Sequence, residues 1–134
     1  MRPEAAAFLG KAREALAKAD GMLERWPDEA GREAYLASLH AAQALIVEST
    51  GKLVTSHKGV HRELGRLTRN EPRIDPELRT FLGRTYELKA IADYGIGPGS
   101  KVSPEMAIAA IKTSKRFVAT MAELISDAAG TAAC

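Results

Sequence analysis

The chain is predicted to fold as an all-α protein, an up-and-down antiparallel bundle of four to five helices. Three observations predict it. Apolar residues recur at three- and four-residue steps through most of the sequence. The apolar share is 46% with only 5% aromatic, and alanine supplies much of it, a composition of strong helix formers. Helix starts are written out twice, as Asp75-Pro76-Glu77 and Ser103-Pro104-Glu105, while no stretch reads convincingly as a strand.

The first helix is expected from about Glu4 to Glu24, where Phe8, Leu9, Ala12, Leu16, Ala19, Met22 and Leu23 form one stripe. Trp26-Pro27 ends it, because the residue before a proline is pushed out of the α region. The second, about Asp28 to Glu48, is apolar on nearly every face from Ala34 to Val47, with Ser38, His40 and Gln43 as its polar residues. A helix of that kind is buried, so it is placed at the centre, with Gly51 as terminator. The third, about His57 to Arg69, carries a narrow seam of Val60, Leu64 and Leu67. The breaker-rich loop Asn70-Glu71-Pro72-Arg73-Ile74 follows it. In the fourth, Leu78, Phe81, Leu82, Thr85, Leu88 and Ala92 face inward, and Gly95-Ile96-Gly97-Pro98-Gly99-Ser100 ends it as a candidate mobile loop. The last runs from Ser103 through Ala107, Ile111, Phe117, Val118, Met121, Leu124, Ile125 and Ala128, and is expected to fray at Gly130.

A length of 134 residues predicts a single helical domain over 1–134 with one real core. No run approaches the ~20 apolar residues of a membrane span, so no membrane role is expected. The opening Met1-Arg2-Pro3-Glu4 has no apolar stretch behind it, which argues against a secretory signal. The one cysteine, Cys134, excludes an internal disulfide and fits a reducing cytoplasm. A net charge of +2 neither demands nor forbids nucleic acid, so the distribution of charge decides.

Several residues carry chemistry. Lys89 and Asp93 are four apart on one helix face with Tyr86 a turn above, so they either line a phosphate cleft, with Tyr94 stacking or donating its hydroxyl, or form an intrahelical ion pair. Lys58, Arg62, Arg66 and Arg69 fall in a row that tracks a phosphate backbone or is merely a solvated face. His57 and His61, one turn apart, have the spacing of a metal pair, but no third ligand is near, so neither a metal nor a cofactor is expected. His57 is placed at the start of its helix behind Ser56, and His40 is expected to hydrogen-bond in the core or across a dimer interface, with Gln43 the nearest partner. Gly97-Pro98-Gly99 lacks both the preceding strand and the Gly-Lys-Ser/Thr of a phosphate loop.

Five stretches together resemble the small all-helical HEPN family, in the prokaryotic branch found beside minimal nucleotidyltransferases. They are Phe8-Leu9-x-Lys11-Ala12, then Tyr35-Leu36-Ala37-x-Leu39-His40-Ala41-Ala42-x-Ala44-Leu45, then Ser56-His57-Lys58-Gly59-Val60, then Ala92-Asp93-Tyr94-Gly95, and finally Val102-Ser103-x-Glu105-x-Ala107 with Phe117-Val118. The resemblance implies a bundle that dimerises, a nucleotidyltransferase-type protein partner, and a toxin–antitoxin or defence-type role. Active members of that family are metal-independent ribonucleases whose arginine is followed, four to six residues on, by a histidine at a dimer cleft. Here Lys89 stands in the arginine's place, within Lys89-Ala90-Ile91-Ala92-Asp93-Tyr94, and no histidine follows. Lysine keeps the charge but not the bidentate fork for phosphate.

The primary expectation is therefore a homodimeric interaction module that binds nucleotide or RNA through His57, Lys58, Arg62, Arg66 and Arg69. An endoribonuclease using Lys89, Asp93 and Tyr94, or a non-catalytic nucleotide-binding regulator, is the alternative. The resemblance also marks Tyr94 as the nearest tyrosine that a partner would modify with nucleotide.

Overall fold

The computed structural model describes residues 1–95 and 101–133. Within them the chain forms five helices and no strand, an all-α bundle as the periodicity predicts. They are α1 (Pro3–Met22), α2 (Pro27–Thr50), α3 (His57–Leu67), α4 (Pro76–Tyr94) and α5 (Pro104–Ala133).

The placement of α2 follows from its sequence. An unbroken buried run from Ala41 to Val47 follows the buried Ala34, Tyr35, Ala37, Ser38 and Leu39, so α2 has no face to give to water. It packs against each of the other four helices. The Arg2 backbone N–H reaches Glu48 Oε1 at 2.6 Å, which puts the start of α1 beside the end of α2. Arg32 Nε lies 3.0 Å from Asp93 Oδ1, which puts the end of α4 beside the start of α2. The Val102 N–H reaches Asp28 Oδ1 at 2.6 Å, so α5 sets out from the same end as α2. The long helices thus run up, down, up and down, with α2 and α5 parallel.

Small residues let α2 and α5 come close. Ser114 Oγ donates to the Ala34 carbonyl at 2.9 Å, and with that proton committed it accepts from Ser38 Oγ at 2.8 Å. Both serines are fully buried, and both are satisfied. The main core gathers Leu9, Tyr35, Leu45, Ile46, Leu78, Phe81, Phe117, Met121 and Ile125, and a second cluster rich in alanine closes the end near Ala30 and Ala107.

The helix limits differ from the sequence expectation in several places, beginning with α1, which stops at Met22 rather than Glu24. Trp26 is the N-cap residue of α2 with Pro27 in its first turn, and α2 runs on to Thr50 before Gly51 turns left-handed at φ 76°. Helix α3 stops at Leu67, since Thr68 is its C-cap and turns its hydroxyl back onto the Leu64 carbonyl at 2.7 Å. Helix α5 continues past Gly130 to Ala133, because an alanine-rich last turn tolerates the ~1 kcal/mol propensity cost of one glycine. Residues 96–100, the expected mobile loop, and Cys134 lie outside the described residues.

Ser114→Val fills the α2–α5 contact with a branched side chain and strips Ser38 of its partner. It is expected to lower stability by about 2–4 kcal/mol, read as a lower urea midpoint at unchanged slope.

Candidate functional site

The site begins with how α3 starts. Gln43 Nε2 donates to the Val54 carbonyl at 3.0 Å, which fixes the loop leaving α2. Its amide oxygen is left to accept from His40 Nδ1 at 2.8 Å, the pairing expected from the sequence. Ser56 then caps α3, its Oγ accepting from the Gly59 N–H at 3.0 Å. A Cβ on residue 59 would lie 2.6 Å from that Oγ and 2.9 Å from Val54 Cγ1, so the cap needs glycine there. The Ser-x-x-Gly spacing is thus a packing requirement that aims His57 and His61 toward α2.

What they meet is Tyr35. Its ring is wholly buried in α2, and its hydroxyl lies 2.7 Å from His57 Nδ1 and 3.1 Å from His61 Nε2. Tyr86 of α4 covers the group, its ring centroid 5.4 Å from that of Tyr35, 5.3 Å from His57 and 6.3 Å from His61. Burial, with the neighbouring Tyr86 adding to it, pushes the Tyr35 phenol well above its ordinary range, so it keeps its proton. Burial also lowers the His57 pKa, and the Lys89 ammonium lowers it further. His61 is lowered by burial first and by His57 second. Near neutral pH the site therefore presents two uncharged imidazoles beside a cation.

Lys89 is held by Asp93, which also accepts from Arg32 of α2, a residue that no sequence pattern singles out. The Lys89 hydrogen bond holds the Asp93 carboxyl below its usual range. Of the two readings of Lys89 and Asp93, the ion pair within α4 is present, as one arm of a bridge between two helices. The Lys89 side chain remains 16% exposed.

A family model of the HEPN domain matches residues 5–124. The chain belongs to the HEPN family. No curated protein matches it. In this HEPN chain the fourth helix indeed lacks a histidine after Lys89, yet the fold brings two imidazoles to that neighbourhood from α3 of the same chain.

The other expected site residues are more scattered. Tyr94 is the last residue of α4, 78% exposed, and the aromatic group around His57 uses Tyr86 instead. Lys58 and Arg62 are exposed on α3 without an ion-pair partner among the described residues. Arg66 is tied to Glu63 at 2.8 Å, and Arg69, exposed and without an ion-pair partner among the described residues, falls in the turn beyond the helix, so two unpaired cations of the row remain on α3. His57 turns its Nδ1 to Tyr35 and so stands apart from that row. Among the described residues no three His, Cys, Asp or Glu side chains gather as metal ligands. No helix there is long and apolar enough to cross a membrane.

The fit of the α3 cap makes Gly59→Ala costly, by about 1–3 kcal/mol, and the substitution should shift the imidazole resonances of His57 and His61 in NMR spectra. For pH, both imidazoles have folded pKa values below the unfolded ~6.5, so the unfolded chain binds more protons as pH falls through that value. The melting temperature should be level above about pH 7 and fall between roughly pH 6.5 and 5. Replacing both histidines with glutamine should flatten that part of the curve, as thermal scans in matched buffers would show.

Proposed function

We propose that this HEPN protein binds RNA or a nucleotide at the α3–α4 site and works, as a homodimer, with a nucleotidyltransferase-type partner in a toxin–antitoxin or defence-type module. The observation that carries the ligand is the meeting of His57 and His61 with Tyr86, with Lys89 one turn along α4 from that ring. A phosphate diester or monoester needs a cation and hydrogen-bond donors, and a base or nucleoside finds a ring in Tyr86, which is 40% exposed. Lys58 and Arg62, exposed on the same helix as the imidazoles, extend the positive charge. The partner and the module rest on family membership. Tyr94, at 78% exposure, is open to a modifying partner.

A specific observation favours a second reading, a metal-independent endoribonuclease. Proton transfer needs a group that is unprotonated near neutral pH and a cation for the developing phosphorane charge. His57 and Lys89 supply both, and Tyr35 and His61 stand behind His57.

The proposal predicts a nucleotidyltransferase gene beside this one, and co-expression of the two proteins should yield a complex on affinity purification and size exclusion. Isolation of a lone dimer under those conditions contradicts the partnership. For the second reading, single-stranded RNA is incubated with pure protein in EDTA, beside Lys89→Ala and His57→Ala. Cleavage by the parent and a loss of about 100-fold or more in each variant is expected. Equal cleavage by all three removes these residues from the site, and no cleavage by the parent leaves RNA or nucleotide binding alone.

A further inference from the structure

Tyr35 has one hydroxyl proton and two ring nitrogens within hydrogen-bonding distance, at 2.7 and 3.1 Å. It donates to one of them, so the other must carry its own proton and donate to the phenol oxygen. If both imidazoles donated, the hydroxyl proton of a wholly buried residue would have no acceptor, since no third partner meets that oxygen among the described residues. Two neutral arrangements remain. In one the phenol donates to His57 Nδ1 and His61 Nε2 donates to the phenol, which places the proton of both imidazoles on Nε2. In the other His57 Nδ1 donates and His61 Nε2 accepts, which places both protons on Nδ1. The two histidines always share a tautomer, and one state becomes the other when two protons shift through Tyr35 while one outer ring nitrogen takes up a proton and the other releases one.

The consequence appears on the far edges of the rings. His57 Nε2 and His61 Nδ1 have no hydrogen-bond partner among the described residues, where no buried side-chain nitrogen or oxygen lacks one, so neither is sealed from solvent. In either arrangement one of these outer nitrogens is bare and the other carries a proton. The unit always offers one base and one acid, and proton uptake at the one with release from the other, joined by the shift through Tyr35, exchanges the two roles.

We infer that Tyr35, His57 and His61 form a proton relay that supplies the general base and the general acid for cleaving an RNA phosphodiester next to a 2′-hydroxyl. This rests on the ribonuclease reading above. Starting with both protons on Nδ1, His57 Nε2 removes the 2′-hydroxyl proton and the 2′-oxygen bonds to phosphorus. The bond from phosphorus to O5′ breaks as His61 Nδ1–H gives that oxygen its proton. His57 then passes its Nδ1 proton to Tyr35 while Tyr35 passes its own to His61 Nε2. The unit ends neutral, with both protons on Nε2 and a bare His61 Nδ1, and the product is a 2′,3′-cyclic phosphate.

That is the state the second step requires. His61 Nδ1 takes a proton from water, the water oxygen bonds to phosphorus, and the bond to O2′ breaks as His57 Nε2–H protonates it. A 3′-phosphate leaves, and the return shift through Tyr35 restores the starting arrangement. Water is the only co-reactant, and the charge of Lys89, which already acts on His57, offsets the charge that develops on the phosphate oxygens. Tyr35 touches no substrate in this scheme. It is a positioning residue that sets the tautomers and carries protons between them.

Nitrogen-15 NMR of the imidazoles at pH 8 reads the tautomers directly, and a fluorescent single-stranded RNA oligonucleotide with its 2′-deoxy counterpart, in EDTA, reads the chemistry. Like tautomers on His57 and His61 are expected, with cleavage of the RNA and none of the 2′-deoxy strand. Tyr35→Phe should lower kcat/KM at least about tenfold and raise the proportion of product left as cyclic phosphate, because the roles no longer exchange. His61→Gln, which keeps a hydrogen bond to Tyr35 but removes the group that meets the substrate, should slow both steps by more than Tyr35→Phe does, and the tautomers of the parent test the relay even if the Phe variant proves unstable. Unlike tautomers, or a Tyr35→Phe protein that cuts and hydrolyses as the parent does, overturn the relay and leave the ribonuclease reading standing. Like tautomers in a parent that cuts no RNA overturn both the ribonuclease reading and the catalytic role of the relay.

Discussion

A phenol sealed inside an apolar helix must have its hydroxyl satisfied, and the arrangement of α3 follows from that constraint. Tyr35 lies in the most buried helix of the bundle, with no access to water. An unpaired hydroxyl there would cost about 1–3 kcal/mol. Its partners come from α3, the shortest of the five helices at 11 residues, whose apolar seam of Val60, Leu64 and Leu67 is narrow. The two imidazoles therefore do more than occupy space. They fix the rotation and height of α3 against α2, and Tyr86 closes the group from α4.

The same contacts that anchor α3 shape the chemistry. An imidazole buried against a phenol and near an ammonium stays uncharged at neutral pH, which is the state in which it accepts a proton. The bridge from Arg32 through Asp93 to Lys89 keeps that ammonium at its station without removing its net positive influence, since one carboxylate is shared by two cations. Stability and reactivity thus draw on one set of hydrogen bonds.

The helices were legible in the sequence because apolar spacing within each is local, and because Pro76, Pro104, Ser56 and Gly51 mark ends by rules that act over a few residues. The alanine-rich, polar-poor stretch around Ala41–Val47 announced the central helix. The site was not legible in the same way. Lys89, Asp93 and Tyr86 share one face by spacing, but Tyr35 stands 22 and 26 positions from its two histidines, and Arg32 stands 61 from Asp93. One signal was there to be used: a tyrosine in a helix with no wet face needs a polar partner, and two of the chain's three histidines, His57 and His61, sit together on the next helix. The cation row is shorter on α3 than its spacing suggests for a local reason, because Thr68 ends the helix before Arg69 and Glu63 captures Arg66.

The most direct test of the central constraint is hydrogen exchange of the parent and of Tyr35→Phe, resolved to single amides. If the phenol–imidazole contacts hold α3 in place, protection in the variant falls selectively for the amides of α3, while the middle of α2 and the Phe117–Ile125 stretch of α5 exchange as before. Unchanged protection throughout α3 would contradict the account, and so would a uniform loss across all the helices.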